Sequence, residues 1–445
     1  MSIQPTRRVA LVAAVLALGL LLYPGEDVPV LASVAALAAV LLVVVVLDGW
    51  LGTSPSQVVV SRQHPPVVVV GSRADLRWEI RSDARRRLRI EAADELAPSL
   101  RAGSRRFTVR VPPGDVARVA TTIRPLRRGR FELDHLTVRI HGRLGLASRQ
   151  RDVPLRTVVR VHPVFHSKAE AEIQIRRARI LELGMRSARG FGGGTEFEQL
   201  REYAPDDEFR HIDWTATART GRTIVRTYRA ERNQSVLILL DNGRTMAARV
   251  AAMPRVEHAM DAAMMLTAVA TGLGDRCGLF AYDREVRAVV PPARRADQVG
   301  RVTEAMYSLE PELFESDHAS AFAEVVARFR RRAMIVLLTD LVDGAVEDSL
   351  LPALPILVRT HLVVVAGVRD PQVERWANDP LDDPDEPDPE AAAYRRAAAI
   401  ASLEQRRRTV ARLRGRGVTV IDAEPGRLAR ELADAYLTVK NTGRL

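Results

Sequence analysis

Hydrophobic and polar positions change rhythm three times along this chain. Val9–Tyr23 and Val28–Leu47 are apolar runs without a charge. The second is long enough to cross a bilayer as a helix, whereas the first covers roughly 22 Å at helical rise. From Gln57 to about Val164 the pattern becomes short alternation, in Val58–Val60, Val67–Val70, Leu76–Ile80, Leu88–Ala92, Phe107–Val111, Val119–Ile123, Phe131–Leu133 and Leu136–Ile140. Pro65-Pro66, Gly71-Ser72, Pro112-Pro113-Gly114-Asp115 and Arg128-Gly129 separate these runs. Evenly spaced short strands between turn residues predict an all-β sandwich. Beyond Ser235 strand and helix patterns alternate: Val236–Leu240, Pro254–Thr271, Cys277–Tyr282 with Val286–Val290, Asp297–Leu309, Ser320–Arg332, Met334–Thr339, His361–Gly367, Ala391–Arg414, Val418–Asp422 and Leu428–Leu437. That alternation predicts an open, mostly parallel α/β sheet covered on both faces. The expected organisation is a transmembrane hairpin over 1–50, a β-sandwich over 51–165, a connecting segment over 166–235 and an α/β domain over 236–445.

Charge orients the first segment. Arg7 and Arg8 precede the first apolar run, many arginines follow the second, and the turn between them carries Glu26 and Asp27. The positive-inside rule places both ends of the hairpin, and the soluble domains, in the cytoplasm of a multi-pass membrane protein. A cleaved signal peptide would need a small-residue site after Tyr23, and none is present. The net charge is +11, almost all of it arginine, because Lys168 and Lys440 are the only lysines. The arginines are scattered and aromatics are few, a pattern that argues against nucleic acid. The Arg81–Arg89 cluster, close after the second apolar run, fits either a face toward anionic lipid headgroups or a solvated strand face. The single Cys277 cannot form an internal disulfide. Asn378–Glu390 is acidic and punctuated by proline, the composition of an exposed loop.

The densest mixture of functional groups runs from Gly190 to Asp241. It contains Glu196, Arg201, Tyr203, Asp206, Asp207, Arg210, Asp213, Trp214 and Arg219, and leads into the strand that ends at Asp241. This stretch resembles the signature of the bacterial membrane-protein family catalogued as domain of unknown function fifty-eight. The family usually shows Pro-Gly-Asp-Asp where this chain has Pro205-Asp206-Asp207-Glu208. Two carboxylates in such a block suit general acid–base catalysis, but no Ser, Cys or His nucleophile accompanies them in a recognisable triad order. The expectation is therefore a structural arginine–carboxylate network, with Asp207, Arg210 and Asp213 as its buried members and Trp214 as apolar anchor.

Asp241 and Thr339-Asp340, both at strand ends, are similar to the pattern of the von Willebrand factor A fold. A metal-binding version needs an Asp-x-Ser-x-Ser loop, a Thr from a second loop and an Asp from a third, which together hold Mg²⁺. Here the first loop reads Asp241-Asn242-Gly243-Arg244-Thr245 and Asp340 takes the third place. Gly243 lacks a hydroxyl, Arg244 brings positive charge, and the second loop offers Ser316 and Asp317 instead of Thr. A weakened Mg²⁺ site on Asp241, Thr245 and Asp340 and a helix-capping Asp without metal remain alternatives. The family resemblance implies a companion, a MoxR-type AAA+ ATPase, with this chain as a membrane-anchored, non-catalytic adaptor in protein assembly or envelope maintenance. The rival class is an Mg²⁺-dependent hydrolase built on Asp241 and Asp340. No Walker motif occurs in the chain, so ATP chemistry would belong to the partner.

Overall fold

The computed structural model describes residues 2–22, 30–188, 196–205, 207–229, 234–378 and 388–442. It divides into two compact units, Met1–His162 and Pro163–Leu445. The turn carrying Glu26 and Asp27, the signature's glycine run, Asp206 and most of the acidic loop lie outside the described residues.

In the first unit, β1 (Ser2–Pro5) precedes two helices, Arg7–Leu22 and Val30–Trp50. The second helix, of 21 residues, is about 31 Å long at helical rise. Among the described residues it is the one helix long and apolar enough to cross a membrane. The first has 16 residues, about 24 Å, and falls short of the ~30 Å hydrocarbon thickness. Of the expected hairpin, one helix meets the length and apolarity of a span among the described residues, and ahead of the shorter first helix Ser2–Pro5 joins a sheet that the apolar pattern did not announce.

The strands that follow are β2 (Val58–Gln63), β3 (Val67–Val69), β4 (Ala74–Ser82), β5 (Leu88–Asp94), β6 (Arg106–Val111), β7 (Val116–Ile123), β8 (Gly129–His141) and β9 (Ala147–His162). They form a three-stranded sheet β2-β4-β7 and a second sheet β1-β9-β8-β5-β6, with β3 paired to β9. Alternation decides which side chains turn inward. In β2, Val58 and Val60 are buried while Val59 is exposed. Inward residues of both sheets, including Leu76, Trp78 and Ile80 from one and Ile90, Val138 and Val159 from the other, share one core. Inside it Asp94 accepts from Arg62 Nη2 (2.6 Å), Arg62 Nε (3.0 Å) and Trp78 Nε1 (2.6 Å). Arg62 Nη1 donates to the carbonyls of Leu133 and Leu155. A buried ion pair persists only when such hydrogen bonds replace its lost hydration.

The second unit opens with a helix, Lys168–Ala188. Its Ile175 packs so close to Gly272 that a Cβ there would sit 2.8 Å from Ile175 Cδ1. Ser167 N donates to Asp261 and Gln174 to Asp434. The early part of the segment read as a connection is thus a docked helix of this unit. Next come β10 (Glu196–Glu202) and β11 (Ile224–Arg229), an antiparallel pair with a short helix, Trp214–Thr220, between them.

The remaining strands are β12 (Ser235–Asp241), the short ladder β13 (Arg249–Val250) with β14 (Met253–Pro254), β15 (Arg276–Tyr282), β16 (Val286–Ala293), β17 (Met334–Leu338), β18 (Leu362–Val368) and β19 (Thr419–Ala423). The large sheet has the order β16-β15-β12-β17-β18-β19, parallel except for the edge strand β16. β12 is apolar without alternation because both faces are covered. Val236, Ile238 and Leu240 meet helices Arg255–Gly272 and Leu428–Asn441, whereas Leu237 and Leu239 meet His318–Arg328, Leu351–Val358 and Pro389–Gly415. The expected open α/β sheet, mostly parallel and covered on both faces, is the observed one.

Candidate functional site at the carboxyl ends of the strands

Parallel pairing of β12 with β17 sets Leu240 beside Leu338, so the residues that follow each strand emerge at the same edge. Asp241 and Asp340 are both buried there. Asp241 Oδ1 accepts from Gly243 N (2.8 Å) and from the Ser316 hydroxyl, and Oδ2 accepts from Thr339 Oγ1 (2.6 Å). Gly243 leaves room for this hydroxyl: a Cβ at that position would overlap Ser316 Oγ. The hydroxyl that the loop 241–245 lacks at position 243 is supplied across the loop by Ser316. Asp317, the other candidate of the second loop, caps helix His318–Arg328 by accepting from Ser320 N (2.9 Å) and Ser320 Oγ (2.6 Å). Arg244 turns outward to Glu315 (2.8 Å). Thr245 lines the cavity beside Asp241 and Asp340.

Asp340 is held differently. Its Oδ1 accepts from Leu341 N (2.8 Å) and Arg406 Nη1 (3.2 Å), and Oδ2 lies 3.2 Å from Arg255 Nη1. Arg406 also grips Asp422 through Nε (3.0 and 3.1 Å) and Nη2 (2.9 Å), and donates to the Val368 carbonyl. Burial works against charge on Arg406, but the bonds to Asp422 and then Asp340 outweigh it and hold its pKa above the ordinary arginine value. Beneath Asp241, the Tyr282 hydroxyl meets His318 Nδ1 (2.8 Å). Burial keeps His318 neutral against the nearby charge of Asp241, lowering its pKa. Burial, with that same charge, raises the Tyr282 phenol.

The cavity lined by Asp241, Thr245, Ser316, His318, Thr339 and Asp340 measures about 50 Å³. That accommodates water, and lies far below the ~300–1,000 Å³ typical of sites for organic ligands. The residues as arranged do not fit Mg²⁺. Both oxygens of Asp241 already accept hydrogen bonds, and the guanidinium groups of Arg255 and Arg406 pair with Asp340 and offset its charge. No group of three His, Cys, Asp or Glu side chains among the described residues is placed to hold a metal. Sequence reading marked Asp241, Thr245, Ser316 and Asp340, but not Arg255, His318 or Arg406. Arg406 stands in an Ala/Arg-rich helix, where nothing in the local pattern separates it from its neighbours.

The signature residues form two separate clamps instead of one buried network. Arg201 Nη2 donates to Asp207 Oδ1 (2.5 Å), and Asp207 Oδ2 accepts from Ala204 N (2.8 Å). Asp213 caps its helix by accepting from Thr215 N and Ala216 N (both 3.0 Å), and its Oδ2 accepts from Arg226 Nε (2.8 Å). Arg210, expected beside Asp213, pairs with the exposed Glu208 instead. Trp214, the first residue of the helix, is 68% exposed and therefore not an apolar anchor. Tyr203 stacks at 5.7 Å on Phe209, and Arg219 is exposed in the last helical turn. Glu196 begins β10. The partner missed from the sequence is Arg226, brought to Asp213 by the strand that follows the helix.

Residues 199–385 match the family described as "Protein of unknown function DUF58", and the resemblance carried by the signature stands over that span. Two uncharacterized proteins, Rv1480 of Mycobacterium tuberculosis and Mb1516 of Mycobacterium bovis, are each 28% identical over 183 residues. The match covers 41% of this chain and 57% of each relative. Among solved structures, the CARDB domain of the PF1109 protein from Pyrococcus furiosus is 11% identical, with coverage of 23% of this chain and 86% of that one. Its TM-score of 0.17 is too low to bear on fold or function.

Proposed function

We propose that this chain, with DUF58 at its centre, is a membrane-anchored adaptor whose α/β domain is von Willebrand factor A-like and performs no reaction of its own. The observation that carries the reading is the state of the strand-end carboxylates. Asp241 is saturated by two hydroxyls and an amide, Asp340 is clamped by Arg255 and Arg406, and the cavity beside them is too small for an organic substrate. A hydrolase would need a carboxylate free to activate water or to hold a metal. The von Willebrand factor A reading draws support from the strand order, in which the first strand, β12, lies in the middle and the antiparallel β16 lies at one edge. Membrane anchoring rests on the apolar helix Val30–Trp50. A second helix beside it in the bilayer is supported by the return of both ends to one sheet: β1 pairs with β9, and Asp48 accepts from the amides of Leu144, Leu146 and Ala147. The arginine bias puts the soluble part in the cytoplasm.

The proposed partner is a MoxR-type AAA+ ATPase, a reading that rests on the family resemblance. Full-length protein solubilised from membranes should capture such an ATPase, and Asp241→Asn should leave capture unchanged. Failure to capture it would remove the partner. A Mg²⁺-dependent hydrolytic turnover that Asp241→Asn abolishes would replace the adaptor by an enzyme.

A further inference from the structure

The chain leaves the apolar helix through a segment fastened at three successive points. Asp48 is buried and accepts from three backbone amides of the β8–β9 loop, Leu144 (2.8 Å), Leu146 (2.9 Å) and Ala147 (3.0 Å). The Gly52 carbonyl accepts from Arg149 Nη1 (3.2 Å), and Thr53 Oγ1 accepts from Arg86 Nε (2.7 Å). A Cβ at Gly142 would overlap the Asp48 carboxylate, so the loop can close on it only with glycine there.

This fastening gathers positive charge at the helix end. The Arg8 guanidinium lies against Gly145 in the same loop. Arg86 feels both burial and the repulsion of Arg143, which lower its pKa despite Asp48. The carboxylate of Asp48 is already occupied by amides. Two donors remain buried without an acceptor among the described residues, Arg86 Nη2 and Arg149 Nε. A buried guanidinium N–H without a partner is costly, and two of them beside an exposed Arg143 define a place for a multidentate anion. Phosphate oxygens match the guanidinium fork. Trp50 and Leu51, at the same point, are 73% and 64% exposed, and tryptophan at the end of an apolar helix is the residue type of the membrane interface.

We propose that Arg86, Arg143 and Arg149, with Arg8, form a binding site for the phosphate of an anionic phospholipid headgroup at the end of helix Val30–Trp50. The inference rests on the membrane reading of that helix and adds a specific lipid contact to it. Of the sequence cluster Arg81–Arg89, the site uses only Arg86. Arg81 pairs with Asp83 and Arg89 with Glu91 on outward strand positions.

The test uses full-length protein in neutral detergent, titrated with short-chain phosphatidylglycerol, short-chain phosphatidylcholine or inorganic phosphate while its melting temperature is followed. Phosphatidylglycerol should raise the melting point and the other two should not. Arg86→Gln with Arg143→Gln should weaken phosphatidylglycerol binding about thirtyfold, from the per-residue worth of a basic contact at a headgroup. Arg143→Gln alone, at an exposed position, should weaken it partially and keeps the test open if the double variant folds poorly. Arg105→Gln, exposed beyond the far end of β5, should change nothing. Equal stabilisation by phosphatidylcholine, or by inorganic phosphate, overturns the proposal. So does equal loss in Arg105→Gln. Alkaline extraction of native membranes separates the premise from the inference. Release of the protein would undo the membrane reading, whereas retention without phosphatidylglycerol selectivity would undo the lipid site alone.

Discussion

Arg406→Gln tests the reasoning behind the locked site most directly. In the native protein this guanidinium bridges Asp340 and Asp422 and reaches the Val368 carbonyl, with only 15% of its side chain exposed. The substitution removes the charge and leaves Asp422 without that clamp, while Asp340 keeps the Leu341 amide and Arg255 at 3.2 Å. Breaking a buried pair by removing one partner typically costs about 3–5 kcal/mol. A domain of this size shifts its melting temperature by roughly 2–4 °C per kcal/mol, so the second unit should melt about 6–20 °C lower. The assay is differential scanning calorimetry of full-length protein in detergent, with and without millimolar Mg²⁺. Wild type should be indifferent to Mg²⁺ because the clamp already supplies the positive charge. Arg406→Gln exposes two carboxylates to solvent and ions, so Mg²⁺ should recover part of its loss. A variant that melts like wild type refutes the clamp. Strong Mg²⁺ stabilisation of the wild type, lost in Asp241→Asn, refutes the argument that the site does not fit the metal.

Two further outcomes follow from the same structure. The hydrogen bond from Arg226, with those from the Ala216 and Thr215 amides, holds the Asp213 carboxyl below the usual carboxylate range. A depressed folded pKa gives stability that is present above the unfolded value of about 3.9 and lost as pH falls through the folded value. Asp213→Asn should therefore unfold at lower urea than wild type at neutral pH, with the gap closing in acid, and a gap independent of pH would show that the pairing contributes nothing. Burial pushes the Cys277 thiol up to about 12, so the folded protein should resist a maleimide at neutral pH and react once denatured. Rapid labelling of native protein would mean that β15 is not buried as described.

What the sequence determined by itself was whatever repeats along the chain. Alternation in β2 or β4 identifies a two-faced sheet because side chains on a strand point to opposite sides in turn. Unbroken apolar runs such as Val236–Leu240 identify a central strand covered on both faces. Asp241 and Asp340 could be placed at one edge because parallel strands end on the same side, and the family signature was legible because it is contiguous. Tertiary structure decided what depends on residues far apart in sequence. Asp340 is neutralised by Arg406 from a helix 66 positions later, and Ser316 fills the place of a side chain at Gly243 from another loop. Asp213 finds Arg226 only because a strand returns beside its helix, while Trp214, apolar by composition, starts that helix in solvent. Ser2–Pro5 becomes a strand by pairing with β9, which no local pattern encodes. In each case the deciding quantity is the energy of a charge or amide taken out of water, and that is set by which distant group arrives to replace the water.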